Sequence, residues 1–252
     1  MIHLPLVDIV SHCYAAELPQ YAAMLVYQAS SLVFYKPKVC KVRLVVCMWD
    51  DREIDKNLYD TTTGKVVEQA KNWMPCKVIR MARGKIGRRC IGRNRASLLT
   101  QADFVWFADV DQVFRDGILD RLVQMPWPKE ASMVYPREIK IHRDWTTGDE
   151  RALDIDLDNP LLTDIDPSEF VSKIYRKAIG GVQIVRGDFA RRYGYLSGET
   201  KWTRPTDKPF SDFRDDTAYR RRCSELGPIV PVDLPGLYRL RHTKTTYQAD
   251  KK

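Results

Sequence analysis

Apolar and polar residues follow one another along the first half of the chain in a pattern that predicts strands and helices in turn. Short apolar runs without helical spacing predict four strands, at residues 6–10, 41–48, 76–80 and 104–108. Longer segments between these runs predict helices, at about residues 18–34, 64–73 and 88–101. This alternation predicts an α/β fold in the rhythm of a nucleotide-binding half-sheet.

The second half of the chain has a less regular pattern. Residues 182–185 are apolar and predict one further strand. Residues 138–175 contain many acids and two prolines, and we interpret them as a long loop with a short helix. Residues 201–210 contain Trp202 and two more prolines.

The apolar run at residues 104–108 stops at two acids, Asp109 and Asp111. Open α/β sheets bind ligands at the carboxyl ends of such strands. On an extended backbone the two side chains share one side, where two carboxylates repel each other unless a cation lies between them. Their hard oxygens suit Mg²⁺ or Mn²⁺, so the pattern predicts a metal site that holds a diphosphate. The alternative is a pair of solvated turn residues.

Composition limits the class of protein. A chain of 252 residues with 44% apolar content can bury a full core, as one domain or as one domain with an appended lobe. No stretch approaches the ~20 apolar residues of a membrane span, and we expect no signal peptide. The cysteines lack Cys-x-x-Cys spacing, which favours reduced thiols in a cytoplasmic protein. They are Cys13, Cys40, Cys47, Cys76, Cys90 and Cys223.

The net charge of +8 is unevenly distributed along the chain. Residues 80–95 include seven basic residues and no acid. Such charge indicates an anionic ligand or partner, although many cationic proteins are simply soluble. Neither Gly-x-Gly-x-x-Gly nor Gly-x-x-x-x-Gly-Lys occurs, which argues against dinucleotide and P-loop sites.

Four segments of the chain occur in the same order as similar segments of one enzyme family. Residues 92–96, Gly-Arg-Asn-Arg-Ala, open the predicted helix before the strand and acids of residues 103–111. Residues 180–189 begin with Gly-Gly, residues 213–220 contain a pair of acids, and residues 238–242 end in a histidine. The ordered set resembles the nucleotide-sugar glycosyltransferases of the GT-A fold, family 2 type. The Gly-Gly and acidic-pair segments are also similar to related galactosyltransferases.

The resemblance implies a fold, a division of the chain and a reaction. The fold would be GT-A, an α/β class with a Rossmann-like nucleotide-binding half-sheet, a mixed central sheet and an acceptor-side C-terminal portion. Residues 1–252 would form a single catalytic domain, with a nucleotide-sugar half at about 1–113 and an acceptor half at about 114–252. The reaction would be metal-dependent, inverting transfer of a sugar from a nucleotide-diphosphate sugar, of which a UDP-sugar is favoured, to an acceptor hydroxyl.

The resemblance also implies a metal shell and a donor site. Asp111 would bind Mn²⁺ or Mg²⁺ directly, Asp109 would contact the ribose or the metal through water, and His242 would complete the shell. His242 could equally be a surface histidine. Further donor-binding candidates are Ser11, His12, Asp50, Asp51, Arg88, Arg93 and Asn94. Plain structural or loop roles are the alternatives for His12, Asp50 and Asp51. Arg83, Lys85 and Arg89 are interpreted as a solvated basic face.

On the acceptor side, the resemblance implies a general base. Asp216 would take the proton of the acceptor hydroxyl, and Asp215, where glutamate is usual in the family, would orient the acceptor. An ordinary helix N-cap is the alternative for this pair. Gly180 and Gly181 would let the backbone approach the sugar closely, or would simply form a tight turn. Trp202 would stack on a sugar or base.

The acceptor and two other classes of function stay open. A glycan or a lipid-linked sugar is favoured over a hydroxymethylated base in DNA, although the positive charge fits DNA. Residues 109–113, Asp-Val-Asp-Gln-Val, also fit the signature of haloacid-dehalogenase-type phosphatases. That signature normally opens its domain, whereas three predicted strands precede it here. The non-enzymatic alternative is a basic nucleic-acid-binding module.

Overall fold

A seven-stranded sheet forms the centre of the protein, whose computed structural model describes residues 3–16, 18–143, 155–196, 198 and 214–241. One half of this sheet is parallel and comes from the first half of the chain. Its strands are β1 (Leu6–His12), β2 (Lys41–Trp49), β3 (Cys76–Met81) and β4 (Phe104–Phe107). β1 pairs with β2 and β4, and β2 pairs with β3. These four strands are the predicted ones, to within two residues at each end.

Helices connect the parallel strands, as the alternating pattern predicts. They are α1 (Gln20–Phe34), α2 (Thr61–Trp73), the short α3 (Arg83–Ile86) and α4 (Arg89–Leu99). α2 begins three residues earlier than its predicted start. The reason is a cap: the Asp60 carboxylate accepts a hydrogen bond of 2.9 Å from the backbone N–H of Thr63.

The second half of the chain completes the sheet and makes it mixed. It contributes α5 (Ile118–Gln124), β6 (Met133–Pro136), β9 (Gln183–Arg186), α6 (Gly187–Tyr193), α7 (Asp215–Leu226) and β10 (Ile229–Val232). β9 runs antiparallel to β4 and β6, and the strand order is β10-β6-β9-β4-β1-β2-β3. The predicted α/β class with a mixed central sheet is therefore confirmed.

A second sheet of four strands has the order β5-β11-β7-β8. Its strands are β5 (Gln112–Phe114), β7 (Glu138–His142), β8 (Phe170–Ile174) and β11 (Leu237–Arg239). The interpretation of residues 138–175 as a loop is therefore wrong for β7 and β8, which pair antiparallel over five residues. Ile139 and Ile141 of β7 are buried, whereas Glu138 is exposed and Lys140 is half-buried, so this short strand packs the apolar side of an alternating sequence against the core.

The acids after β4 lie on a turn. β4 ends at Phe107, and the backbone N–H of Gln112 donates a 3.2 Å hydrogen bond to the carbonyl oxygen of Asp109. The buried amide of Gln28 in α1 holds this turn, because its Nε2 donates to the carbonyl oxygens of Asp109 and Gln112 at 2.9 and 3.3 Å. The expectation that an extended backbone places Asp109 and Asp111 on one side is therefore wrong, although both acids do reach one cavity.

Candidate active site

A cavity of about 160 Å³ lies at the carboxyl ends of β1 and β4. The chain order of the parallel strands reverses at this point, which is where open α/β sheets bind their ligands. One side of the cavity is aromatic and the other is charged. Its lining is formed by His12, Tyr14, Tyr21, Arg89, Asp109, Val110, Asp111 and Arg239.

Asp109 is held by two guanidinium groups. Its Oδ1 lies 3.0 Å from Nη1 of Arg89 and 3.1 Å from Nη2 of Arg93. Burial acts most strongly on the Asp109 carboxyl and would raise its pKa, but Arg89, Arg93 and Arg239 together outweigh burial and leave the pKa below 3.8. Asp109 is therefore a carboxylate at neutral pH, and its side chain remains 25% exposed.

Asp111 has an arginine partner of its own. Its Oδ2 accepts a hydrogen bond of 2.8 Å from Nε of Arg239, and its side chain is only 3% exposed. Arg239 arrives from the far end of the chain because β11 pairs antiparallel with β5 and places Arg239 opposite Gln112. The charge of Asp111 is the largest influence on Arg239 and raises the pKa of its guanidinium.

Arg93 is fully buried and connects the two halves of the chain. Its Nη1 donates to the Tyr195 hydroxyl at 3.0 Å, and that hydroxyl donates to Oε1 of Gln183 at 3.0 Å. The ring of Tyr195 stacks on Tyr219 of α7, with centroids 3.8 Å apart. The Arg93 guanidinium thus lies behind the cavity lining and acts on it through its contact with Asp109.

Arg89 lies in the site rather than on a solvated basic face, so that interpretation is wrong. α4 begins at Arg89, and residues 89 and 93 are one helical turn apart on the same face. The Arg89 side chain is one-third exposed and bridges two acids, with Asp109 at 3.0 Å and Oδ1 of Asp215 at 4.0 Å.

His12 presents a neutral imidazole to the cavity. Only 3% of the residue is exposed, and neither ring nitrogen has a hydrogen-bond partner in the described part of the chain. Burial lowers its pKa well below the ordinary value of 6.5, and the charges of Arg93 and Arg89 lower it further. Gly92 of α4 makes room for the ring, since a Cβ there would lie 2.3 Å from Nε2.

This depressed pKa predicts a pH-dependent stability. Below pH 6.5 the unfolded chain takes up a proton at His12 while the folded chain does not, so stability falls as the pH drops from 6.5 towards the folded pKa. The free energy of unfolding should decrease by up to about 1.4 kcal/mol per pH unit in this window. Denaturant titrations between about pH 5 and pH 8 should show that the unfolding free energy of His12→Gln lacks this fall at low pH. The exposed His3 offers a control, and equal slopes in wild type and His12→Gln would contradict the prediction.

The two acids at the start of α7 have different environments. Asp215 is buried; its Oδ2 accepts from the backbone N–H of Cys90 at the start of α4, and its Oδ1 accepts from the N–H of Asp216, both at 2.9 Å. Asp215 therefore ties α7 to α4. Asp216 is half-buried and lies beside Gly180. A Cβ added to Gly180 would lie 3.3–3.5 Å from the side-chain atoms of Asp216.

The Gly180-Gly181 pair lies between Asp216 and Asp109. A Cβ on Gly181 would lie 2.5 Å from Nε2 of Gln112 and 2.8 Å from Oδ2 of Asp109. A side chain there would displace Asp109, so the close approach requires glycine. The structure thus brings together the pair of acids, the two glycines and the carboxylates after β4.

Asp50 and Asp51 do not line the cavity. Asp50 lies at the end of β2, where its carboxylate binds Arg52 at 2.7 Å and Arg80 at 3.2 Å. Burial would raise the pKa of Asp50, but hydrogen bonds from Arg52 are the largest influence and lower it. Asp51 accepts from the Trp49 indole at 2.8 Å and from the backbone N–H of Arg83.

Ser11 and Asn94 support the site from behind. The Ser11 hydroxyl donates to Oε1 of Gln28 at 2.8 Å and so orients the amide that holds the Asp109 turn. Oδ1 of Asn94 accepts from the backbone N–H of Tyr195 at 2.9 Å. Arg88 immediately precedes α4 and is not part of the cavity lining. Trp202 and His242 lie outside the described residues.

Several site residues were not identified from the sequence. Tyr14, Tyr21, Gln28 and Arg239 belong to this group, as does Arg89. Gln28 carried a usable signal, because a polar residue inside a buried helix needs a specific partner. Arg239 lies in the segment that ends at His242 and was passed over in favour of the histidine.

The donor atoms fit a divalent ion that binds together with a phosphate ligand. Asp109 and Asp111 provide hard carboxylate oxygens to one cavity, and the hydrogen bonds from Arg89 and Arg93 both go to Oδ1 of Asp109. Within the described ranges no group of three or more His, Cys, Asp or Glu side chains converges on one point. Mg²⁺ commonly binds through one or two carboxylates with substrate phosphates and water completing its shell, and this pair of acids matches that arrangement.

No protein-family model and no curated protein sequence matches the chain. Solved structures do match. S. aureus TarS 1–349 is 15% identical with a TM-score of 0.53, over 92% of this chain and 60% of that one. A second S. aureus TarS structure is 14% identical with a TM-score of 0.56, over 92% of this chain and 36% of that one. The mannosyltransferase PcManGT from Pyrobaculum calidifontis, in complex with GDP-Man and Mn²⁺, is 14% identical with a TM-score of 0.52. The match covers 97% of this chain and 59% of that one.

These likenesses concern the fold. The predicted GT-A-like α/β fold is confirmed, because nearly all of this chain shares the architecture of a solved mannosyltransferase. The chain spans about 60% or less of the length of each of these proteins. No helix among the described residues combines the length and apolarity needed to cross a bilayer.

Proposed function

We propose that this chain is a metal-dependent glycosyltransferase that moves a sugar from a nucleotide-diphosphate sugar to an acceptor hydroxyl. The observation that carries the proposal is the cavity at the strand-order reversal of a GT-A-like fold, where two carboxylates and two guanidinium groups form the lining and the buried Arg93 contacts one of the carboxylates. PcManGT, which has a similar fold, was solved with GDP-Man and Mn²⁺. The donor half is proposed at about residues 1–113 and the acceptor half at about 114–252.

The charged side of the cavity suits a diphosphate. Arg89 and Arg239 are each about one-third exposed, so their guanidinium groups can donate paired hydrogen bonds to phosphate oxygens. Asp109 and Asp111 would hold Mn²⁺ or Mg²⁺, with His242 as the proposed third ligand. A bound divalent ion would neutralise the charge that develops on the leaving diphosphate. The rings of Tyr14 and Tyr21 offer aromatic surface to the base or sugar, and UDP is the proposed nucleotide.

The acceptor side is proposed at the Gly180-Gly181 pair and the start of α7. Asp216, half-buried beside Gly180, would accept the proton of the attacking hydroxyl. With a single base opposite the leaving group, the reaction would be one in-line displacement that inverts the anomeric centre. Trp202 is proposed to stack on the acceptor. A glycan or lipid-linked sugar is the proposed acceptor, with a hydroxymethylated base in DNA as the alternative.

A thermal-shift panel tests the donor half of the proposal. UDP, GDP and their sugars are added with and without Mn²⁺, because a ligand that binds only the folded chain raises its Tm. At about 100 times Kd the ligand adds about 2.7 kcal/mol, which corresponds to roughly 5–10 °C for a chain of this size. We expect Asp111→Asn to lose the shift, and Asp188→Asn, which changes an exposed acid in α6, to keep it. No shift with any nucleotide would overturn the proposal.

A further inference from the structure

One contact in the cavity stands in the way of the proposed metal. The Asp111 carboxylate, 3% exposed, is already bound to Nε of Arg239 at 2.8 Å. Asp109 is likewise bound to Arg89 and Arg93. The two acids proposed to hold a divalent ion are therefore matched by three guanidinium groups, and a cation that enters alone meets a site with no excess of negative charge. A diphosphate that enters with the cation changes this balance.

Arg239 and Arg93 differ in their freedom to move. Arg93 is fully buried and fixed by Tyr195, whereas the Arg239 side chain is 29% exposed and lines the cavity. Its backbone is anchored beside Asp111, because Arg239 pairs with Gln112 and the N–H of Leu240 donates to the carbonyl oxygen of Asp111 at 2.8 Å. The side chain can therefore change partner while its Cα stays next to the acid.

We propose that Arg239 and the divalent cation are alternative partners of Asp111. In the resting protein Arg239 occupies the carboxylate. When the cation and a diphosphate enter together, the cation takes the place of Arg239 on Asp111, and the released guanidinium binds the diphosphate. This inference rests on the proposed function and assigns Arg239 a positioning role within it. It makes the binding of cation and diphosphate cooperative, and the coupling is reciprocal by thermodynamic necessity.

The exchange is tested with Mn²⁺ alone, by manganese EPR or calorimetry on the full chain without nucleotide. Arg239→Gln should bind Mn²⁺ at least about tenfold more tightly than wild type, because the variant lacks the positive charge that competes with the cation for Asp111. Arg43→Gln is a matched control. Arg43 is 22% exposed and pairs with the 3% exposed Asp8 at 2.8 Å, so it reproduces the Arg239–Asp111 pair outside the cavity. It should leave Mn²⁺ affinity unchanged.

A second measurement uses the wild-type chain and does not depend on the folding of any variant. Its Mn²⁺ affinity should rise about tenfold or more when UDP or GDP is present, and in Arg239→Gln this increase should be much smaller. Equal Mn²⁺ affinity in wild type with and without the nucleotide, or equal Mn²⁺ affinity of wild type and Arg239→Gln, would overturn the exchange. Nucleotide binding that depends on Mn²⁺ but shows neither effect would leave the proposed function standing. Absence of any nucleotide binding would instead remove the proposed function.

Discussion

The Asp216→Asn variant is expected to fold like the wild type and to transfer sugar about 10²–10⁴-fold more slowly, the usual contribution of a positioned general base. Asp216 is half-buried in the first turn of α7, beside Gly180 and on the side of the glycine pair away from Asp109. An asparagine has nearly the same shape but cannot take the proton of the acceptor hydroxyl. The rate at which nucleoside diphosphate is released measures the loss of transfer activity, and circular dichroism checks that the variant is folded.

Two other acids serve as comparisons for this variant. Asp188→Asn changes another acid in the first turn of a helix, α6, which is exposed and outside the site, and it should leave the rate unchanged. Asp215→Asn should act on stability, because its carboxylate accepts from the backbone of Cys90 and Asp216 and approaches Arg89. We expect that variant to lose about 1–3 kcal/mol of unfolding free energy. An Asp216→Asn enzyme that kept more than about a tenth of the wild-type rate would contradict the assignment.

The Arg93→Met variant is expected to lose about 3–5 kcal/mol of unfolding free energy, the range seen when one partner of a buried ion pair is removed. Methionine fills part of the volume but leaves the Tyr195 hydroxyl without its donor and removes one cation from Asp109. Since the pKa of Asp109 is held down partly by Arg93, its carboxylate should also become easier to protonate. Urea denaturation measures the stability loss.

The same helix supplies the control for Arg93. Arg95 is exposed two residues further along α4, and its Nη1 donates to the carbonyl oxygen of Arg80. Arg95→Met should change the unfolding free energy by no more than about 0.5 kcal/mol. A similar, small loss in both variants would show that the buried guanidinium is not part of what holds the two halves of the chain together.

Sequence and structure agree best where local pattern decides the outcome. β1 to β4 were predicted to within two residues, since a short apolar run buried on both faces of a parallel sheet is visible without its neighbours. The interpretation of residues 138–175 as a loop fails at β7 and β8. The two strands pair with each other, and β7 also pairs with β11, nearly 100 residues away; a local pattern does not identify such a distant partner.

The site shows the same division. The sequence points to the cationic start of α4 and to the acids after β4, but it favours a solvated face for Arg89 and a donor contact or a plain loop role for Asp50. A helix of known start puts Arg89 and Arg93 on one face, and Asp50 is satisfied by Arg52 and Arg80. Each error concerns which of several like-charged groups meets which acid, and that depends on three-dimensional neighbours.

By itself, the sequence determined the α/β class, the positions of the parallel strands along the chain and the two acids that follow β4. These follow from hydrophobic period and from the way strands end, which are properties of short segments. Only the tertiary structure decided that Asp109 and Asp111 sit on a turn held by Gln28, and that Arg239 reaches Asp111 across 128 residues. Ion pairs join groups that the fold brings together, so their identity is fixed by packing and not by distance along the chain.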